Sequence, residues 1–166
     1  MQKLIKNGQL TQDYWTILRE ATGPEVLQAV PGKSFIVPLK FWKLYQGDLA
    51  DYDGDVAIWL DSDENVKDIG PELERFSLVA LNFPIFSDGR PYTNARELRE
   101  CLKYGGEIRA IGDVLRDQLY YMSQCGFNAF DLRSDQNSEN CLTAFADFST
   151  SYQATISEPS PLFRRR

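Results

Sequence analysis

Val56-Ala57-Ile58-Trp59-Leu60-Asp61 is a near-continuous apolar run closed by an acid. A parallel strand covered on both faces reads this way, because crossover helices leave it no solvent side. Val66, Ile69, Leu73 and Phe76 then follow at helical spacing. Gly70-Pro71 marks a break within that stripe. The unit recurs three more times. Leu78 to Leu81 is a strand, and Asn94-x-x-Glu97 opens a helix that buries Ala95, Leu98 and Leu102 and ends at Gly105-Gly106. Ile108 to Ile111 is followed by Asp113 as N-cap of a helix carrying Leu115, Leu119 and Met122, which stops before Gly126. Ala129 to Leu132 is followed by a helix capped by Ser138, with Leu142, Phe145 and Ser149 on its stripe.

Strand–helix units at a period of about 25 residues predict an α/β fold with a parallel sheet and right-handed crossovers. Two architectures meet this pattern: a curved sheet of four units resembling half of a (βα)8 TIM barrel, and an open flavodoxin-like sheet. No glycine-rich phosphate loop follows the first strand, which favours the half barrel.

Upstream, Asn7-Gly8 between two short alternating stretches is the signature of a tight hairpin. Residues 13–30 read as helical or irregular, with Trp15, Leu18 and Leu27 as packing contacts. Ser34 to Val37 is a short strand, and Pro38 puts it at a sheet edge or ends it there. The expected organisation is therefore an N-terminal appendage over 1–55, a (βα)4 domain over 56–152 and a tail over 153–166. A half barrel leaves edges that need cover, either from residues 1–55 or from a second subunit in a homodimer.

Composition excludes several function classes. The 166-residue chain contains no histidine, which removes Ser–His–Asp and Cys–His catalysis and any His-ligated metal site, so no metal site is expected. Cys101, Cys125 and Cys141 have no C-x-x-C spacing and read as thiols in a reducing compartment. The formal charge of −6 and the lack of a basic patch interleaved with aromatics argue against nucleic acid. The acidity is local: residues 48–75 hold ten acids against Lys67 and Arg75. No apolar run is long enough for a membrane span and no signal-type leader is present, so the expected location is cytoplasmic.

Ligands of parallel α/β sheets collect at the carboxyl ends of the strands. Those ends carry Asp61, the loop Asn82 to Arg90, the run Arg109 to Asp113, and Asp131 to Arg133. Arg90 and Arg109 are the candidates for gripping an anionic ligand, with Gln118 beside them, although Asp88 with Arg90 and Arg109 with Asp113 can equally be internal ion pairs. Without histidine, proton transfer would fall to Asp61, Asp88, Asp113 or Tyr92. The tail ends in Arg164-Arg165-Arg166 and reads as a solvated terminus or a strap for an acidic surface.

FPIFSDGR over 83–90, ARELRE over 95–100, GEIRAIGDVLRDQ over 106–118 and CGFNAF over 125–130 form a long ordered pattern. It resembles a bacterial family labelled domain of unknown function 934, whose members carry the note of an oxidoreductase of sulfite reduction. The likeness extends over most of residues 30–150. It implies an accessory role in assimilatory sulfate and sulfite reduction. The partners it implies are sulfite reductase or phosphoadenylylsulfate reductase, on which the chain would act as an enzyme, an assembly factor or a non-catalytic docking module. No motif for NAD, flavin, haem or an iron–sulfur cluster is recognisable, so no cofactor is assigned. Pro91 and Thr93 stand where the family often has glycine and serine, which stiffens the loop after Arg90.

Overall fold

A computed structural model describes residues 3–147 and 153–165. Strands β1 (Lys3–Lys6) and β2 (Gln9–Gln12) form the N-terminal hairpin. Its turn places Asn7 and Gly8 at φ 50° and 74°, the left-handed pair that a two-residue primed turn requires. A two-residue strand β3 (Thr16–Ile17) and a one-turn helix α1 (Val26–Ala29) follow. Next come β4 (Ser34–Pro38), α2 (Leu39–Leu44) and α3 (Gln46–Ala50).

The four expected units then appear. Strand β5 (Asp55–Leu60) leads to 3-10 turns over Val66–Arg75, broken at Gly70 with φ 67°. Strand β6 (Leu78–Phe83) leads to α4 (Arg90–Arg96), which continues as a π-helical turn over Glu97–Cys101. Strand β7 (Glu107–Gly112) leads to a 3-10 turn over Arg116–Gln118 and α5 (Leu119–Cys125). Strand β8 (Ala129–Phe130) leads to α6 (Ser138–Leu142) and a 3-10 turn over Thr143–Ala146. Ser149 and Arg166 lie outside the described residues.

All eight strands form one sheet in the order β2-β1-β8-β7-β6-β5-β4-β3. Strands β3 to β8 are parallel neighbours in chain order, and β1 is antiparallel to both β8 and β2. Sequential order has no switch point, so the open flavodoxin-like alternative is excluded and the crossovers put their helices on one face. Phe35, Val37, Ile58, Leu60, Val79, Leu81 and Ile108 meet those helices in the main core. Alternate residues of the same strands, Ile36, Ala57, Trp59, Leu78, Ala80 and Ile111, form a second core on the other face with Trp15 and Ile17.

The connection from β2 to β3 shows how far the sheet curls. These strands are its two edges, about 34 Å apart if eight strands lay flat. Only Asp13, Tyr14 and Trp15 join them, a link that reaches at most about 15 Å. The sheet therefore curls into a half barrel drawn nearly shut. Strands β2 and β3 run in the same sense and act as one stave broken at residues 13–15, its first half paired to β1 and its second to β4. Strands β1 to β4 thus supply the edge cover that the sequence left open between the N-terminal segment and a second subunit.

Several local expectations change. Of the two readings of Pro38 the second holds: β3 lies outside β4, so β4 is not an edge, and Pro38 is the strand's last residue. Helix α4 begins at Arg90 rather than at Asn94, with Pro91 in its first turn, and Asn94 is instead buried with its Nδ2 donating to Glu64 O at 2.9 Å. The following π turn ends at Cys101, before Gly105. Asn137, not Ser138, caps α6, accepting from the backbone N–H groups of Glu139 and Asn140. Asp113 caps no helix and has other partners, described next.

Candidate functional site

The carboxyl ends of β3, β5, β6, β7 and β8 surround the mouth of the half barrel. Trp15, Ile17 and Arg19 alternate onto the inner side, so the chain leaving β3 carries the Arg19 guanidinium to this mouth. Arg19 Nη1 donates to Asn82 Oδ1 at 2.9 Å, and its guanidinium lies 5.5 Å from the centre of the Trp59 ring. Trp59 Nε1 donates to Leu18 O at 3.0 Å, and Asn82 Nδ2 donates to Asp61 Oδ1 at 3.0 Å. The amide of Asn82 thus sits between cation and acid. Among the described residues no carboxylate forms an ion pair with Arg19.

Gly112 makes room for this arrangement. Its φ is +94°, and a Cβ there would stand 2.4 Å from Phe83 O and 2.6 Å from Asn82 Oδ1. Only glycine lets β7 end so close to Asn82.

Two adjoining hollows open at the mouth and share Arg19, Gly112 and Arg133. One, of about 490 Å³, runs past Asp131, Leu132, Ser134, Gln136 and Ser138. The other, of about 460 Å³, runs past Asn82, Phe83, Pro84 and Asp113. Arg133 is already countered: Nη1 donates to Asp113 Oδ1 at 2.6 Å, while Nε and Nη2 each donate at 2.7 Å to the two oxygens of Asp135. The Arg133 hydrogen bonds hold the Asp135 carboxyl down at about 2. The second oxygen of Asp113 accepts the Phe86 N–H at 2.8 Å, which ties the loop after β6 to the mouth.

The residues expected to form the site are dispersed. Arg90 grips Asp88 through Nε at 3.0 Å and Nη2 at 2.7 Å, and Nη2 also donates to Ser62 Oγ at 2.8 Å. This pair borders a separate hollow of about 330 Å³ beside Asn65, Thr93 and Asn94. The Arg90 hydrogen bonds push the Asp88 carboxyl well below the usual carboxylate range. The sequence expectation put Arg109 at a strand end, but β7 runs on to Gly112, so Arg109 is mid-strand and 1% exposed. Its Nε donates to Glu107 Oε1 at 2.7 Å, and its Nη1 donates to both oxygens of Asp13 at 2.9 and 3.0 Å. Lys6 Nζ reaches the other Glu107 oxygen at 2.6 Å. Arg109 therefore belongs to an interior ion network, not to the mouth.

Gln118 Nε2 donates to Phe86 O at 2.5 Å. Tyr92 stands on the helix side, with ring centres 5.2 Å from Phe83 and 5.0 Å from Tyr121. Burial pushes its phenol up to about 12, so it stays protonated at neutral pH. Arg19 was missed by the sequence reading, although the x-Trp15-x-Ile17-x-Arg19 alternation carries the signal.

Among the described residues no group of three or more Cys, Asp or Glu is arranged to hold a metal ion. No helix among them is long and apolar enough to cross a membrane. Cys101 is exposed, Cys125 and Cys141 are buried, and all three are free thiols.

These features define an α/β half-barrel protein with a polar, arginine-bearing mouth at the carboxyl ends of its strands. The chain belongs to the family described as bacterial protein of unknown function (DUF934), whose model matches residues 57–163. No curated protein and no solved structure matches it.

Proposed function

We propose that the protein binds a small anion at the mouth of its half barrel through Arg19, as an accessory of assimilatory sulfate and sulfite reduction. The observation that carries the binding reading is the state of Arg19. Arg133 at the mouth, and Arg90 beside its separate hollow, each hold a carboxylate at hydrogen-bond distance, whereas Arg19 holds only a neutral amide and rests on an indole face. A guanidinium fixed in place with its charge uncountered is ready for a carboxylate or an oxyanion. The pathway rests on the resemblance of the DGR, GDxLxDQ and CGF segments to proteins labelled with sulfite reduction. Binding is favoured over catalysis because Tyr92 is a half-buried neutral phenol, while Asp88 and Asp113 are occupied by arginines and backbone donors.

Thermal melts in sulfite, sulfate and phosphate, against chloride at equal ionic strength, test the binding. Anion-specific stabilisation should be present in the native chain and in Arg90→Ala, and absent in Arg19→Ala. An unchanged shift in Arg19→Ala overturns the site. Growth of a deletion strain on sulfate, sulfite or cysteine tests the pathway, and equal growth on all three removes it.

A second reading, a non-catalytic module that docks on sulfite reductase or phosphoadenylylsulfate reductase, is favoured by one observation. Ile85 and Phe86, at the rim of the mouth, are each 56% exposed.

A further inference from the structure

The loop that carries Ile85 and Phe86 is pinned by hydrogen bonds along its length. Phe86 N–H donates to Asp113 Oδ2 at 2.8 Å, and Phe86 O accepts from Gln118 Nε2 at 2.5 Å. Asp88 N–H donates to Ile85 O at 3.0 Å, closing a turn across the tip. Asp88 Oδ1 then accepts from the Arg90 N–H at 3.0 Å, which anchors the loop to the start of α4. The backbone is thus fixed while its two largest apolar side chains stand in water.

Water ordinarily disfavours that exposure, and a loop with freedom to fold its tip inward would do so. Here four hydrogen bonds oppose it. Such a preorganised apolar tip loses little entropy when covered, as the anchor residues of protein interfaces do.

We infer that this rim is a docking surface for an acidic, apolar segment of a partner protein. Ile85 and Phe86 supply the apolar contact, and Arg19 receives the segment's carboxylate. Two observations fix that chemistry. The hollow lined by Pro84, Asp113, Arg19 and Arg133 adjoins the tip, since Pro84 precedes Ile85 and Asp113 accepts the Phe86 N–H, so one extended ligand can span both features. The uncountered charge at its end is positive, which selects an acidic residue rather than a basic one. A small anion confined to the hollow leaves both side chains exposed; only a ligand that continues over the rim covers them.

The inference rests on the anion-binding reading of Arg19, and the test separates the two. A short fluorescein-labelled peptide with Leu-Phe flanked by glutamates is titrated with the native chain by fluorescence polarisation. A peptide with serines in place of Leu-Phe and one with lysines in place of glutamates serve as controls. The acidic apolar peptide should bind, the controls should not, and Phe86→Ser and Arg19→Ala should each weaken binding at least about tenfold. Phe86 is exposed, so Phe86→Ser should keep the native melt and the anion-dependent shift.

An anion shift without peptide binding overturns the docking inference and leaves the anion site standing. Peptide binding that ignores either substitution overturns the docking inference as well. Loss of both signals in the native chain removes both readings. Self-association of the native chain that Phe86→Ser abolishes would assign the rim to a second copy and overturn the acidic partner.

Discussion

Tyr92 shows how a residue type suited to chemistry can be withdrawn from it by packing. Its ring meets Phe83 edge-on and lies against Tyr121 and Phe127, and ionising its phenol inside that cluster would place a charge among apolar rings. The same penalty acts on Tyr104, which is buried with its hydroxyl donating to Phe76 O at 2.9 Å, and whose phenol is likewise raised. The unfolded chain loses these protons near about pH 10, whereas folded Tyr92 keeps its own to about 12. Between those values the folded state binds more protons, so stability must fall as pH rises through that window. Spectrophotometric titration of the tyrosinate band should separate a late component from an earlier one. Tyr92→Phe should remove part of the late component and flatten the alkaline loss of stability. If it removes only early amplitude, the phenol is not withdrawn from solvent.

At the scale of elements, the interior ion network ties three staves together. Arg109 and Glu107 lie two apart on β7 and therefore face the same side; Lys6 comes from β1, and Asp13 from the break between β2 and β3. At that break Asp13 binds Arg109 with both oxygens and also accepts the Trp15 N–H at 3.1 Å. Removing Arg109 leaves two carboxylates facing the interior, so Arg109→Ala should cost about 3–5 kcal/mol. Replacing Asp13, Glu107 and Arg109 together with apolar residues of similar size should recover most of that loss. Urea denaturation of both variants decides it, and a cost under about 1 kcal/mol for Arg109→Ala would mean that the network does not secure the barrel.

The same elements show what sequence can carry. Apolar runs at a steady period made β5, β6 and β7 legible because each is buried on both faces. The run Ala129 to Leu132 predicts four residues where β8 has two, and counting Arg109 to Asp113 as a strand end makes a mouth residue of an arginine that sits inside β7. Closure was not legible. It depends on a stave of four and two residues whose polar Gln9, Thr11 and Gln12 give no apolar signal, and on pairing between opposite ends of the sheet. Arg19 was lost in the same segment, because a two-residue strand is too short for its alternation to stand out.

For the whole molecule, the boundary of the family match raises a question of folding. The matched residues 57–163 include nearly all of the four βα units, yet β1 to β4 complete the sheet from outside that span. Cutting them away would strip β5 of its five-residue register with β4 and β8 of its pairing to β1. It would also open the inner core, where Ile36, Trp15 and Ile17 cover Ala57, Trp59 and Ala80. Two unpaired edges and an uncovered apolar face are what a sheet cannot keep in water without aggregating. Residues 55–166 alone should therefore lack a cooperative thermal transition, although they contain the family-matched region. The exposed loop at Asp53-Gly54 offers a clean division. Co-expression of residues 1–54 with 55–166 should restore a soluble complex with a cooperative melt and native circular dichroism, because the pairing surfaces are all retained. Cooperative unfolding of 55–166 by itself, within a few degrees of the intact chain, would show that the matched half is a folding unit in its own right. The N-terminal staves would then be covering a finished domain rather than completing one.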